Sequence, residues 1–127
     1  FMDAPREPMS LAPIAGRDYL RFGPVRSLSL FRAMTRYPTL ERLSLLDVPT
    51  LVVIGARDPL IDLDRLGAAF DSVPHVTAVS MPGAHALNHS HPEQLAAIIT
   101  AYLADRPVVD ADVDGLVLLE DRDRSRS

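Results

Sequence analysis

The chain reads as an α/β domain, and three stretches carry that reading. In VPTLVVIG, from Val48 to Gly55, residues Leu51, Val52, Val53 and Ile54 are consecutively apolar and mostly β-branched. A run of that kind predicts a strand covered on both faces by helices. HVTAVSM, from His75 to Met81, predicts a second strand, and its mixed polarity places it nearer a sheet edge. From Pro92 onward Leu95, Ile98, Ile99, Tyr102 and Leu103 recur at helical spacing, which predicts an amphipathic closing helix. With a helix between the strands, this order makes a βαβ unit with parallel strands.

Residues 1–13 contain Pro5, Pro8 and Pro13 and no periodicity, so they read as an irregular lead-in. GRDYLRFG, from Gly16 to Gly23, has the content for a turn or two of helix. Pro24 to Arg36 predicts a full helix opened by Gly23 and Pro24, with Leu28, Phe31 and Met34 inward. A shorter helix is expected from Thr39 to Leu46, with Thr39 as N-cap and Leu40, Leu43 and Leu46 inward. Asp62 to Asp71 supplies the crossover helix: Leu63, Leu66 and Phe70 face in, Gly67 weakens it, and Asp62 and Asp64 suit its cap and first turn. Three segments follow: helices over 1–46, an α/β core over 47–105, and a charged tail over 106–127. The tail ends in EDRDRSRS and is expected to be disordered, although GLVLL, from Gly115 to Leu119, could add a short strand.

Composition narrows the function. A 127-residue chain with 47% hydrophobic and 24% charged residues suits one globular domain. Its net charge of −4 argues against a nucleic-acid partner, which needs a basic face. All 13 basic residues are arginines, scattered along the chain. The chain has no cysteine, which excludes disulfides and thiolate chemistry. No run has the length of a membrane span, so no membrane partner is expected and the cytoplasm is the default location.

In open α/β sheets, functional groups collect beyond the carboxyl ends of the strands. Two loops lie there. GARDPLI places Asp58 just past the first strand, and PGAHALNHSHP places His85 just past the second. Adjacent parallel strands lie about 4.8 Å apart, so such loops can join a carboxylate to an imidazole. A buried Asp on one ring nitrogen fixes the tautomer and leaves the other nitrogen as a general base. Other readings stand beside this one: Asp58 as a turn former before Pro59, and His85 as a loop histidine bonded to backbone. His85, His89 and His91 could also converge on zinc, although they lack the H-E-x-x-H helix context. Ser90 with Glu93 fits a capping box, or His91 precedes Pro92 at the first helical position. Asn88 suits ordering of the histidine loop, and Arg57 suits either a salt bridge or the site rim.

The pair of loops resembles the C-terminal portion of the α/β-hydrolase fold family. VPTLVVIGARDPLI is similar to that family's strand carrying the triad acid. MPGAHALNHSHPEQLAAIITAYL is similar to its last strand, histidine loop and final helix. The resemblance implies Asp58 as triad acid and His85 as triad base, with the preceding helices as the end of a lid. Tyr19, Phe22, Phe31 and Met34 would then line an apolar pocket, where otherwise they are plain core. The family's nucleophile sits in a G-x-S-x-G elbow, and none of Ser10, Ser27, Ser29, Ser44, Ser72, Ser80 and Ser90 has that context. The expectation is a C-terminal part of a serine hydrolase acting on a small apolar ester or thioester without cofactor or metal, and inactive alone. The alternative is a non-catalytic α/β interaction domain or truncated paralogue. In either case a strand as apolar as LVVI would expose an unpaired edge suited to self-association.

Overall fold

The computed structural model describes residues 9–62, 66 and 69–122. Its elements are α1 (Leu11–Phe22), α2 (Pro24–Arg36), α3 (Thr39–Leu43), β1 (Thr50–Gly55), β2 (Val76–Met81), α4 (Leu87–Ser90), α5 (Pro92–Leu103), a 3₁₀ turn (Val108–Asp110) and β3 (Val117–Asp121). The fold is α/β, with one open three-stranded sheet in the order β1-β2-β3. β1 and β2 run parallel, in unbroken register from Thr50↔Val76 to Gly55↔Met81. β3 returns antiparallel to β2, with a register shift between Ala78 and Val79.

Both faces of the sheet are packed, as the LVVI run predicts. On one face Val79 and Met81 join Leu87, Ile98, Val108 and Val113, with Leu51, Val53, Leu95 and Tyr102 against them. On the other, Ile54, Val76 and Ala78 meet Phe70 and Val73, with Val52, Leu66 and Leu119 alongside. Burying side chains such as Phe70 and Ile98 contributes roughly 1.5–3 kcal/mol each. Of the expected crossover helix, Leu66, Ala69 and Phe70 are helical, and the Leu66 N–H bonds the Asp62 carbonyl as in a first turn. Leu63, Asp64 and Gly67 lie outside the described residues.

The strand positions are the reverse of those the polarity suggests. β2 is the central strand and is buried at every position, whereas β1 is the edge and is half-buried along most of its length. β2 tolerates Thr77 at the centre because its hydroxyl bonds Asp121 Oδ1 on β3 at 3.2 Å.

The tail over 106–127, expected to be disordered, is ordered through residue 122: Val117–Asp121 join the sheet as β3 and 106–116 pack beside it, while 123–127 lie outside the described residues. Val108 and Val113 are buried, Leu116 packs on one core and Leu119 on the other. Arg122 closes the segment with a 2.7 Å ion pair to Asp71 and a backbone bond to Val76. Apolar residues spaced between acids were enough to join the core once β2 offered an edge.

Other expectations shift locally. Helix α1 begins at Leu11 and runs through Pro13, inside the supposed lead-in. Helix α2 has its expected bounds, with Gly23 at φ +90° before Pro24. Its Leu28, Phe31 and Met34 are not inward but 58%, 52% and 63% exposed, because α1 and α2 bury no residue fully. Helix α3 stops at Leu43, and Thr39 is its first residue rather than its cap; the Thr39 hydroxyl turns back to the Tyr37 carbonyl. Leu46 is exposed, Leu43 packs on the core, and the Leu40 side chain lies outside the described part. Helix α5 buries Ile98 and Ala101, while Ile99 and Leu103 face outward, so the buried stripe is narrower than expected.

Candidate functional site

The site begins with how the two strands end. The β1–β2 ladder continues past both strands: the Ala56 N–H bonds the Met81 carbonyl at 2.8 Å, and the Arg57 N–H bonds the Gly83 carbonyl at 2.9 Å. These bonds zip the acid loop to the histidine loop. Gly55 makes the approach possible, since a Cβ there would sit 2.0 Å from the Ala84 carbonyl oxygen. Gly83, at φ +140°, turns the second loop, and a Cβ on it would strike Leu87.

Asp58 and His85 meet across this seam. His85 Nδ1 lies 2.8 Å from Asp58 Oδ2, with the Asp58 side chain 4% exposed and the His85 side chain 59% exposed. The other carboxylate oxygen, Oδ1, accepts the Leu60 N–H at 2.9 Å, and the Asp58 N–H bonds the Gly55 carbonyl. Asp58 is therefore both the turn former and the partner of His85; the two readings coexist. With Asp58 as an acceptor, His85 carries its proton on Nδ1. A buried carboxylate beneath an accessible imidazole can orient the ring and stabilise its cation.

The other two histidines are engaged elsewhere. His89 Nε2 lies 3.1 Å from Ser10 Oγ, and His91 Nδ1 lies 2.8 Å from Ser90 Oγ. Among the described residues, no group of three or more His, Asp or Glu is arranged to hold a metal ion. Ser90 does not form the capping box: its hydroxyl donates to the Ala86 carbonyl at 3.0 Å, and His91 stands at the N-cap with Pro92 next. Ser90 thus links the histidine loop to the start of α5. Asn88 is exposed on α4.

Sequence reasoning singled out Asp58 and His85 but treated Gly55 only as the end of a strand. Its position just before the acid loop was the available signal, because a close backbone approach requires the smallest residue. Of the aromatic residues proposed for a pocket, Tyr19 and Phe31 line a groove of about 430 Å³ between α1 and α2, together with Ala15, Ser27 and Leu28. A second groove of about 390 Å³ is lined by Met81, His91, Gln94, Asp112 and Asp114, among others. Asp58 and His85 line neither of these two grooves. Among the described residues, no helix is long and apolar enough to cross a membrane. Comparisons with protein-family models, with curated proteins and with solved structures find no match.

Proposed function

We propose that Asp58 and His85 are the acid and base of an α/β-fold serine hydrolase whose nucleophile lies outside these 127 residues. One observation carries the reading: the buried Asp58 carboxylate lies 2.8 Å from Nδ1 of an exposed His85, in loops beyond the ends of adjacent parallel strands. In the proposed reaction, His85 Nε2 takes the proton of a serine hydroxyl as its oxygen attacks the carbonyl carbon of a small apolar ester or thioester. His85 then returns the proton to the leaving group as the ester bond breaks. Water, deprotonated by the same nitrogen, hydrolyses the acyl-enzyme and regenerates the serine. Asp58 holds the ring and balances its transient positive charge. No cofactor enters these steps.

The test has two parts. In a protein joining these residues to a G-x-S-x-G elbow, His85→Ala should lower turnover of an activated ester by roughly 10⁴-fold, whereas His89→Ala should leave it largely intact. The reverse pattern would overturn the assignment. The chain alone should neither turn over the ester nor be labelled by a fluorophosphonate; a labelled serine would place the nucleophile inside it. A non-catalytic α/β interaction domain is the second reading, favoured by the absence of a G-x-S-x-G elbow from the chain. Unchanged turnover in His85→Ala would support it.

A further inference from the structure

His91 stands at a junction that the proposed reaction leaves unused. It ends α4 and caps α5: its N–H bonds the Leu87 carbonyl at 2.8 Å, and its carbonyl accepts the Leu95 N–H at 3.0 Å. Leu87 is buried, and Ile98 and Ala101 seat α5 in the core, so the His91 backbone is held by packed elements. Its side chain reaches back to the loop that carries His85 and engages it on both sides of that residue.

On the upstream side the ring meets Gly83. A Cβ on Gly83 would stand 3.1 Å from His91 Nδ1 and 3.3 Å from Cε1, so the ring edge lies against this glycine. The Gly83 carbonyl in turn accepts the Arg57 N–H from the acid loop. On the downstream side the contact runs through Ser90, whose Oγ lies 3.0 Å from the Ala86 carbonyl oxygen and 2.8 Å from His91 Nδ1. Two oxygens at that distance need a proton between them, and only the serine can supply it. With its single proton committed there, the Ser90 hydroxyl can only accept from the ring, so neutral His91 carries its proton on Nδ1. Together with the His89 and Ser90 N–H groups, at 3.0 Å each, the hydroxyl fixes the carbonyl of the residue after His85.

We infer that His91 is a positioning residue for His85. Its Nδ1–H donates to Ser90 Oγ, Ser90 donates to the Ala86 carbonyl, and the ring edge bears on Gly83. The His85 backbone is suspended between these two points while Asp58 holds the imidazole. The His85 side chain is 59% exposed, so its placement depends on the backbone that carries it. The placement of the ring follows from this geometry; any effect on turnover rests on the hydrolase reading.

Nitrogen-15 NMR of the histidine rings in the 127-residue chain tests the relay. Neutral His91 should show the Nδ1–H pattern, and an Nε2–H pattern would overturn the inference. His91→Ala and Ser90→Ala should each loosen the His85 ring from Asp58, read as loss of its own Nδ1–H pattern. His91→Asn puts an amide N–H where the Nδ1–H stood and should restore it. An unmoved His85 ring in both alanine variants, or an asparagine variant that behaves as alanine, would also overturn it. If the alanine variants fail to fold, the His91 tautomer and the asparagine variant still decide. In the protein joined to a G-x-S-x-G elbow, His91→Ala should lower kcat about tenfold or more with KM little changed, and His91→Asn should recover most of it. Unchanged kcat there, where His85→Ala abolishes turnover, would overturn the positioning role. Unchanged turnover in His85→Ala itself would overturn the hydrolase reading, and the ring spectra would then judge His91 by themselves.

Discussion

Gly55 sets the distance on which the candidate site depends. The Ala84 carbonyl occupies the place where a side chain would begin, and as backbone in a hydrogen-bonded seam it has little freedom to retreat. Gly55→Ala should therefore cost about 2–3 kcal/mol, at the upper end for overpacking, and should separate the loops. Urea denaturation measures the first effect, and ¹⁵N NMR of the His85 ring the second. Loss of the Nδ1–H tautomer would accompany the separation; an unperturbed ring with wild-type stability would contradict the account. Asp58 and His85 were legible in the sequence because their positions after strand-like runs can bring a carboxylate to an imidazole, as the 2.8 Å contact does. Gly55 was not, because a glycine after a strand signals a turn whether or not another backbone lies against it.

At the scale of elements, helix α5 shows how local and tertiary preferences combine. Pro92 at the first turn starts it as the sequence predicts. It ends at Leu103, with Asp105 in the left-handed region at φ +54° and the Arg106 N–H returning to the Ala101 carbonyl at 2.9 Å. Helix ends of this shape favour glycine, and an L side chain held there is strained. Asp105→Gly should raise stability by up to about 1 kcal/mol, measured as the shift in denaturation midpoint at constant slope. A lower midpoint would mean that the Asp105 side chain supports the turn. Periodicity named the apolar residues of α5, but only packing chose among them. Ile98 is buried against the sheet, while Leu103, five residues on, is exposed.

For the whole molecule, the segment after α5 decides which strand is central. β3 covers the second edge of β2 and brings Leu119 to one face of the sheet, while Leu116 just before it packs on the other core. A chain ending at Leu116 loses that cover, leaves the Thr77 hydroxyl without Asp121, and breaks the Arg122–Asp71 pair. It should unfold at lower denaturant and aggregate through β2, as light scattering during thermal unfolding would show. Unchanged stability and solubility would mean that β3 is an ornament to the sheet. The apolar rows of α1 and α2 belong to the same scale. Their spacing is helical and their helices form, yet Leu28, Phe31 and Met34 remain exposed. Helical periodicity specifies a face, and only a neighbour can bury it.

Taken alone, the sequence determined the α/β class, the parallel pair of strands, the bounds of α2, the start of α5, and the two residues that meet in the candidate site. Each follows from short-range patterning: β-branched runs, helical spacing, and proline and glycine at element ends. Tertiary structure alone decided that β1 lies at the edge and β2 at the centre, that Val117–Asp121 joins the sheet, and that His89 and His91 bond away from His85. Strand order and side-chain pairing depend on contacts between residues far apart in the chain. Local composition carries no record of which partner those residues meet.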